Sequence, residues 1–384
     1  MMLTFIAFLA LAAWGWLTFL RGRFWRASEW LEDAPAPAFW PQVIAVIPAR
    51  DEAGSIGETI RAHMAADYPG QFDVVVADDG SKDGTADIAR AAAMDHARAL
   101  DVVRVPDLPS GWTGKMWAVE NGLARARDMA PDAKYVLLTD ADIKLAPDTL
   151  SRLVAKAEAE NLALASLMAK LDARGPWASF LIPAFIYFFQ KLYPFPRVND
   201  PSDNLAAAAG GCMLLRRDAL DAVGGAAAIK GALIDDCALA RAIKDLSPDT
   251  HIWLGLARDE AVSLRDNRML NSIWSMVART AYAQLGYSPL LLGGAVLGMA
   301  LTYMAAPLIV LTLAWHWNFA ATFYAVGACA LMAYTYWPTL RLYGRAPWEA
   351  ALLPAAGALY TAMTFSSAMH HWRGEGGAWK GRTY

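Results

Sequence analysis

Tyr135-Val136-Leu137-Leu138-Thr139-Asp140-Ala141-Asp142 is the stretch on which the fold turns: an apolar run that ends on two carboxylates one residue apart. Such a run, bounded by polar residues, reads as a buried parallel strand, and open α/β sheets take their ligands outside the carboxyl ends of such strands. Carboxylates at that spacing can turn towards one hard cation, which keeps several waters and takes further oxygens from a substrate phosphate. The competing reading is a turn in which Asp140 and Asp142 only cap a helix over 147–159.

Outward from this stretch, apolar runs alternate with helical patterns from 43 to about 169, which is the signature of successive βα units and a mainly parallel sheet. Strands are expected over 43–47, 72–77, 102–105, 135–138 and 162–168, with helices over about 54–66, 84–99, 115–129 and 147–159. The first strand runs into Pro48-Ala49-Arg50-Asp51-Glu52, and the second into Asp78-Asp79-Gly80-Ser81-Lys82-Asp83-Gly84-Thr85. Acids at adjacent strand ends make a wall that can accept hydrogen bonds from a base and from ribose hydroxyls. For Asp83, capping of the helix that begins near Thr85 is the stronger reading. Gly111-Trp112-Thr113-Gly114-Lys115 is not a phosphate-binding P-loop, because Pro109 stands where its first Gly belongs and Met116 where its Ser/Thr belongs. A Lys at a helix N-terminus can still meet a diphosphate. Further on, Leu233-Ile234-Asp235-Asp236-Cys237 leads into a helix over 236–245, so its acids are either first-turn charges or catalytic groups.

Composition adds a second solvent. Of 384 residues, 56% are hydrophobic and only 18% charged, too apolar for a wholly soluble chain. Residues 2–20 form an anchor followed by Arg21, Arg23 and Arg26, whose charge places the C-terminal side of the span in the cytosol. Three more apolar blocks lie at about 290–313, 319–337 and 348–369, and Trp residues beside the apolar runs fit membrane interfaces. Four spans starting outside would end outside, whereas Arg373, Lys380 and Arg382 favour the cytosol. Either the tail is external or one C-terminal block is re-entrant or interfacial. The segment 177–193 is expected to lie in the membrane interface, with a buried core helix as the equal alternative. The net charge of −3 gives no reason to expect a nucleic-acid partner, and Cys212, Cys237 and Cys329 suggest neither a disulfide framework nor a zinc site.

Pro48–Glu52, the Asp78–Thr85 run, Gly114-Lys115, Asp140-Ala141-Asp142, Gly210-Gly211 with Arg216-Arg217, and Asp235-Asp236 occur in the order found in family 2 glycosyltransferases of the GT-A fold. The resemblance covers about 42–285. With the anchor, the C-terminal blocks and the closing Trp379-Lys380-Gly381-Arg382-Thr383-Tyr384, the chain most resembles the membrane glycosyltransferases associated with hopanoid biosynthesis. The resemblance implies a cytosolic GT-A domain over 42–285, after a 21–41 linker and before a 286–372 transmembrane region and a 373–384 tail. It implies that Asp51 or Glu52 and Asp79 contact the base and ribose, and that Asp142, with Asp140 assisting, holds Mg2+ or Mn2+ against the donor diphosphate. Lys115 and Arg279 would face that diphosphate, and Asp236 would be the catalytic base beside Asp235, which stands where relatives usually have Glu. Many processive relatives and ceramide glucosyltransferases also carry Gln-x-x-Arg-Trp after the base; Met276-Val277-Ala278-Arg279-Thr280 lacks the Trp, which argues against a polysaccharide synthase. The expectation is an inverting enzyme of the bacterial inner membrane that moves a sugar from a nucleotide-sugar, expected to be a UDP-sugar, to a lipid acceptor such as a hopanoid. The alternatives are a polyprenyl-phosphate glycosyltransferase and a non-catalytic membrane scaffold.

Overall fold

The computed structural model describes residues 1–376; the tail residues from 377 on, Lys380 and Arg382 among them, lie outside the described residues. The chain forms two compact units. An α/β unit comprises Ser28–Asp172 and Arg197–Arg265, and a helical unit comprises Met1–Ala27, Ala173–Pro196 and the described residues from Asp266 onward.

The α/β unit is built on β1 (Val43–Ala49), β2 (Phe72–Asp78), β3 (Leu100–Arg104), β4 (Tyr135–Thr139), β5 (Ile143–Leu145), β6 (Leu162–Met168), β7 (Cys212–Arg216), β8 (His251–Leu256) and β9 (Ala261–Ser263). Seven of them form one sheet in the order β3-β2-β1-β4-β7-β6-β8, while β5 and β9 pair as a separate antiparallel ribbon. All neighbours in the large sheet are parallel except β7, which runs antiparallel to both β4 and β6. The sheet is therefore mixed but mainly parallel, as expected. Every residue of β1, β2, β4 and β6 is buried, which explains why these strands read as continuous apolar runs rather than alternating ones. The helix Gly114–Met129 lies directly on β1: a Cβ at Gly122 would stand 2.5 Å from Val46 Cγ1. That approach aims the N-terminal end of the helix, with Lys115, at the carboxyl ends of β1 and β4.

In the helical unit, three helices among the described residues are long and apolar enough to cross a membrane: Met2–Phe19, Pro289–Leu311 and Phe319–Leu342. The last apolar block forms the helix Leu353–Trp372, which Ser366, Ser367, His370 and His371 make less apolar. The segment expected at an interface forms the helix Pro176–Leu192, which packs inside this unit against the helices Leu270–Ala278, Phe319–Leu342 and Leu353–Trp372. Tyr187 donates or accepts a hydrogen bond with Thr335 at 2.9 Å, and Tyr360 donates to the Leu181 carbonyl at 2.9 Å.

Candidate active site

The carboxyl ends of β1 and β2 are stitched together by their loops. Asp51 donates its N–H to Ser81 Oγ at 3.0 Å and accepts from the Lys82 N–H at 2.8 Å. Glu52 N–H reaches Thr85 Oγ1 at 2.8 Å, and Ala53 N–H reaches Asp83 at 2.9 Å. These bonds hold Asp51 at a φ of 51°, a left-handed conformation that few non-glycine residues adopt. Asp83 also accepts from the Thr85 N–H at 3.1 Å, at the first residue of a helix whose N-cap position is Gly84. Asp79 is buried, and Arg50 donates to its carboxylate at 3.2 Å and to its carbonyl.

Four bonds fix the Asp140-Ala141-Asp142 turn. Asp140 N–H donates to the Gly211 carbonyl at 3.3 Å, Ile143 N–H to the Asp140 carbonyl at 3.1 Å, and Leu264 N–H to the Asp142 carbonyl at 2.7 Å. Thr59 Oγ1 donates to the Ala141 carbonyl at 2.9 Å. The turn therefore takes its shape from the helix Ile56–Met64, from the antiparallel strand β7 and from the segment after β9. The helix Thr149–Ala159 begins after Asp148, so Asp140 and Asp142 do not cap it.

Lys115 draws these parts together. Its Nζ lies 3.0 Å from Asp140 Oδ1 and 3.1 Å from Asp235 Oδ2, joining the strand end to the first turn of the helix Asp235–Lys244. Burial alone would lower the Lys115 pKa, but Asp140, Asp235 and Asp236 outweigh it and hold the ammonium above its ordinary value. Lys115, Asp140 and Asp235 stand at the polar end of a pocket with about 400 Å³ of empty space open to solvent, continued by Met116, Val119, Met213 and Leu239. Asp236 accepts from the Gly210 N–H at 2.8 Å and from the Cys237 N–H at 2.7 Å. Burial, then the Asp235 charge, raises it to about 6 despite Lys115 and these two N–H groups. A carboxyl held there is suited to take a proton near neutrality.

Residues 44–224 match the family model described as Glycosyl transferase family 2. No curated protein matches the chain. Among solved structures, mannosyltransferase PcManGT from Pyrobaculum calidifontis, in complex with GDP-Man and Mn2+, shares 21% identity at a TM-score of 0.56, over 96% of this chain and 99% of that one. Glucosyl-3-phosphoglycerate synthase from Mycobacterium tuberculosis, in complex with Mn2+, UDP and glucosyl-3-phosphoglycerate, shares 21% identity at a TM-score of 0.41, over 64% of this chain and 80% of that one. The likeness to the archaeal enzyme is one of fold, and that fold is GT-A.

Among the described residues, no group of three His, Cys, Asp or Glu is arranged to hold a metal ion. The donor set nevertheless fits one that takes its other ligands from water and phosphate. Asp142 is raised to about 6 by burial and then by the charges of Asp140 and Glu52, with Arg265 opposing them. A divalent cation there would relieve that repulsion, with Asp142 as its main ligand, since Asp140 is engaged by Lys115. Glu52, expected on the nucleotide side, thus acts on Asp142. Arg279 belongs to the helical unit, where it follows the helix Leu270–Ala278. Sequence reasoning gave no role to Arg50, Gly210 or Arg265. Arg50 stands inside the Pro48–Glu52 run and was open to notice, whereas Arg265 reaches Asp142 only because β9 pairs with β5.

Proposed function

We propose that this chain is an inverting glycosyltransferase that moves a sugar from a nucleotide-sugar, with UDP-sugars as the first candidates, to the hydroxyl of a membrane lipid, a hopanoid being the acceptor of choice. The observation that carries this reading is the double ion pair of Lys115, which joins Asp140 and Asp235 at one pocket, with Asp236 next in the chain. In it, Asp51, Glu52 and Asp79 serve the nucleotide side, and Lys115 faces the diphosphate. Asp142, assisted by Asp140, would hold Mg2+ or Mn2+, which supplies charge neutralisation for the leaving diphosphate. Asp236 takes the proton of the acceptor hydroxyl as its oxygen attacks the anomeric carbon, and Asp235 fixes Lys115. One displacement from one face inverts that carbon. A hydroxyl acceptor needs a base, whereas a polyprenyl phosphate is already anionic, so the raised carboxyl of Asp236 favours the lipid alcohol over the phosphate. A non-catalytic scaffold has no need of buried acids at strand ends.

Three spans starting outside would end in the cytosol, in keeping with the basic tail; the helix Leu353–Trp372 then does not cross. The α/β unit would lie on the cytosolic side of the inner membrane of a bacterium, where nucleotide-sugars are made. The deciding experiment is lipid profiling of a deletion strain, followed by assay of the purified enzyme with the accumulated lipid and labelled UDP-sugars or GDP-mannose. Loss of one glycosylated lipid class with build-up of its aglycone is expected. An unchanged lipid profile and no transfer from any donor would sink the proposal.

A further inference from the structure

Lys191 is the least expected polar group of the helical unit. It lies in the last turn of the helix Pro176–Leu192, where its Nζ donates to the Tyr303 hydroxyl at 2.9 Å and stands 3.9 Å from Met299 Sδ. The ammonium sits 4.7 Å from the ring centre of Tyr303 and 5.3 Å from that of Phe188. Among the described residues no acid pairs with it, and the charge that acts on it is a second cation, Arg21. Arg21 donates from Nε to the Lys191 carbonyl at 3.3 Å and from Nη2 to the Leu192 carbonyl at 3.1 Å, closing the end of the same helix. An ammonium has three N–H donors; a hydroxyl takes one, and a thioether is a weak acceptor. Ring faces and a helix C-terminus favour a cation, but they carry only partial charge. Lys191, partly buried and with no acid on it among the described residues, therefore keeps N–H donors that an anionic oxygen can take.

The surroundings indicate which anion. Arg21 lies 5.7 Å from the ring centre of Trp16, and Trp16, Phe19, Leu20 and Leu192 are all exposed apolar residues. Met2–Phe19 is itself long and apolar enough to span, so the two cations stand at the end of a membrane helix, beside surface that water does not favour. Tyr303 belongs to the π-helical stretch Ala300–Ala305, an irregularity common at functional positions. We infer that Lys191 and Arg21 bind the phosphate of an anionic membrane phospholipid, whose chains lie along Trp16, Phe19 and Leu20. This site does not depend on the transfer reaction proposed above.

The test uses the full chain in neutral detergent micelles, titrated with phosphatidylglycerol, phosphatidylcholine or inorganic phosphate. Apparent melting temperature and the lipid retained in native mass spectrometry are read. Phosphatidylglycerol should stabilise the protein and remain bound, while the other two do neither. Lys191→Met should raise the half-saturating phosphatidylglycerol concentration about fivefold, the effect of one basic residue at an anionic surface. Lys191→Arg should keep the wild-type value, as should Arg23→Gln outside the cluster. If Lys191→Met does not fold, Arg21→Gln carries the same fivefold expectation. An unchanged titration in these variants overturns the inference, and so does equal stabilisation by inorganic phosphate, which would make this a soluble-anion site.

Discussion

Two acid pairs of the same construction meet at Lys115 in different settings. Asp140 and Asp142 leave the end of a buried strand, while Asp235 and Asp236 open a helix. In each pair Lys115 binds the first acid, at 3.0 Å and 3.1 Å, and the second acid is raised to about 6. The causes match as well: burial first, then the charge of a neighbouring acid. What differs is the compensation offered to the second acid. Asp142 receives a Ser263 hydroxyl at 3.3 Å and the charge of Arg265, a cationic setting suited to neutralising phosphate. Asp236 receives the charge of Lys115 and, in place of a hydroxyl, two backbone N–H groups, which fix a carboxylate without removing its ability to take a proton. One lysine therefore holds the first acid of each pair, and under the proposed function the second acids, in these different surroundings, take different tasks.

The largest effects should come from the second members. Asp142→Asn is expected to lower turnover on the order of 10³-fold or more, since metal-assisted charge stabilisation supplies several kcal/mol. Activity in membranes and the melting temperature of the purified variant check this, and full activity in excess EDTA would break the metal half of the comparison. Asp236→Asn should lower turnover by about 10²–10⁴-fold, the usual contribution of a general base. Nucleotide-sugar binding should persist, and Asp235→Asn should do less damage. The wild-type product from an α-linked donor should be β-linked; an α-linked product would exclude the single displacement.

Much of this arrangement was legible in the sequence, and the exceptions have physical reasons. The apolar runs of β1, β2, β4 and β6 stood out because both faces of these strands are buried, so polar residues are few in them, Asp73 and Ser166 being the interior exceptions. Strands β7 and β8 went unread. Cys212–Arg216 is a short run between glycines and arginines, and its antiparallel pairing to β4 is a tertiary fact. That pairing is what puts Gly210-Gly211 beside Asp140. The acids were recognisable singly. Their division by Lys115 was not, because Asp140 and Asp235 are distant in the chain and meet only through the helix that Gly122 lets down onto β1. The helix Pro176–Leu192 was ambiguous for a different reason: a run apolar all round looks the same buried in protein or in lipid.

A smaller effect, and a sharper one, is pH dependence. Asp236 must be ionised to act, so kcat/KM should fall about tenfold per pH unit below roughly 6. Lys115 opposes the rise of this pKa, and Lys115→Gln should move the acid limb towards higher pH in whatever activity remains. The stability effect has the opposite sense from that of a salt-bridged acid. A folded-state pKa raised from 3.8 to about 6 contributes stability that is present below 3.8 and lost as pH rises through 6. Asp236→Asn should therefore melt higher than wild type in alkaline buffer, and the gain should close as pH falls towards 3.8. A variant that melts lower than wild type at every pH would mean that the N–H bonds to Asp236 outweigh its burial.

The smallest expected effects separate the two pairs most cleanly, because adjacent glycines touch one pair each. A Cβ at Gly210 would lie 3.3 Å from Asp236 Oδ2, 3.4 Å from its Cβ and 3.5 Å from Lys115 Nζ. A Cβ at Gly211 would instead meet Ile143 Cδ1 at 3.2 Å and Cγ1 at 3.3 Å, on the residue that follows Asp142. Neither glycine has a positive φ, so alanine introduces crowding rather than backbone strain. At these distances the neighbours must yield by a few tenths of an ångström. Misplacement of about 1 Å can cost 10²-fold, so Gly210→Ala should lower kcat by several-fold, to about tenfold, while the donor KM stays near wild type. Gly211→Ala should act on the other side, raising the donor KM or the metal concentration for half-maximal activity with less change in kcat. The Ile143 side chain can turn aside, so this is the milder of the two. Should Gly210→Ala lower the melting temperature and leave kcat untouched, Asp236 would be a first-turn charge on its helix, and the likeness between the two acid pairs would be one of construction without a shared role in catalysis.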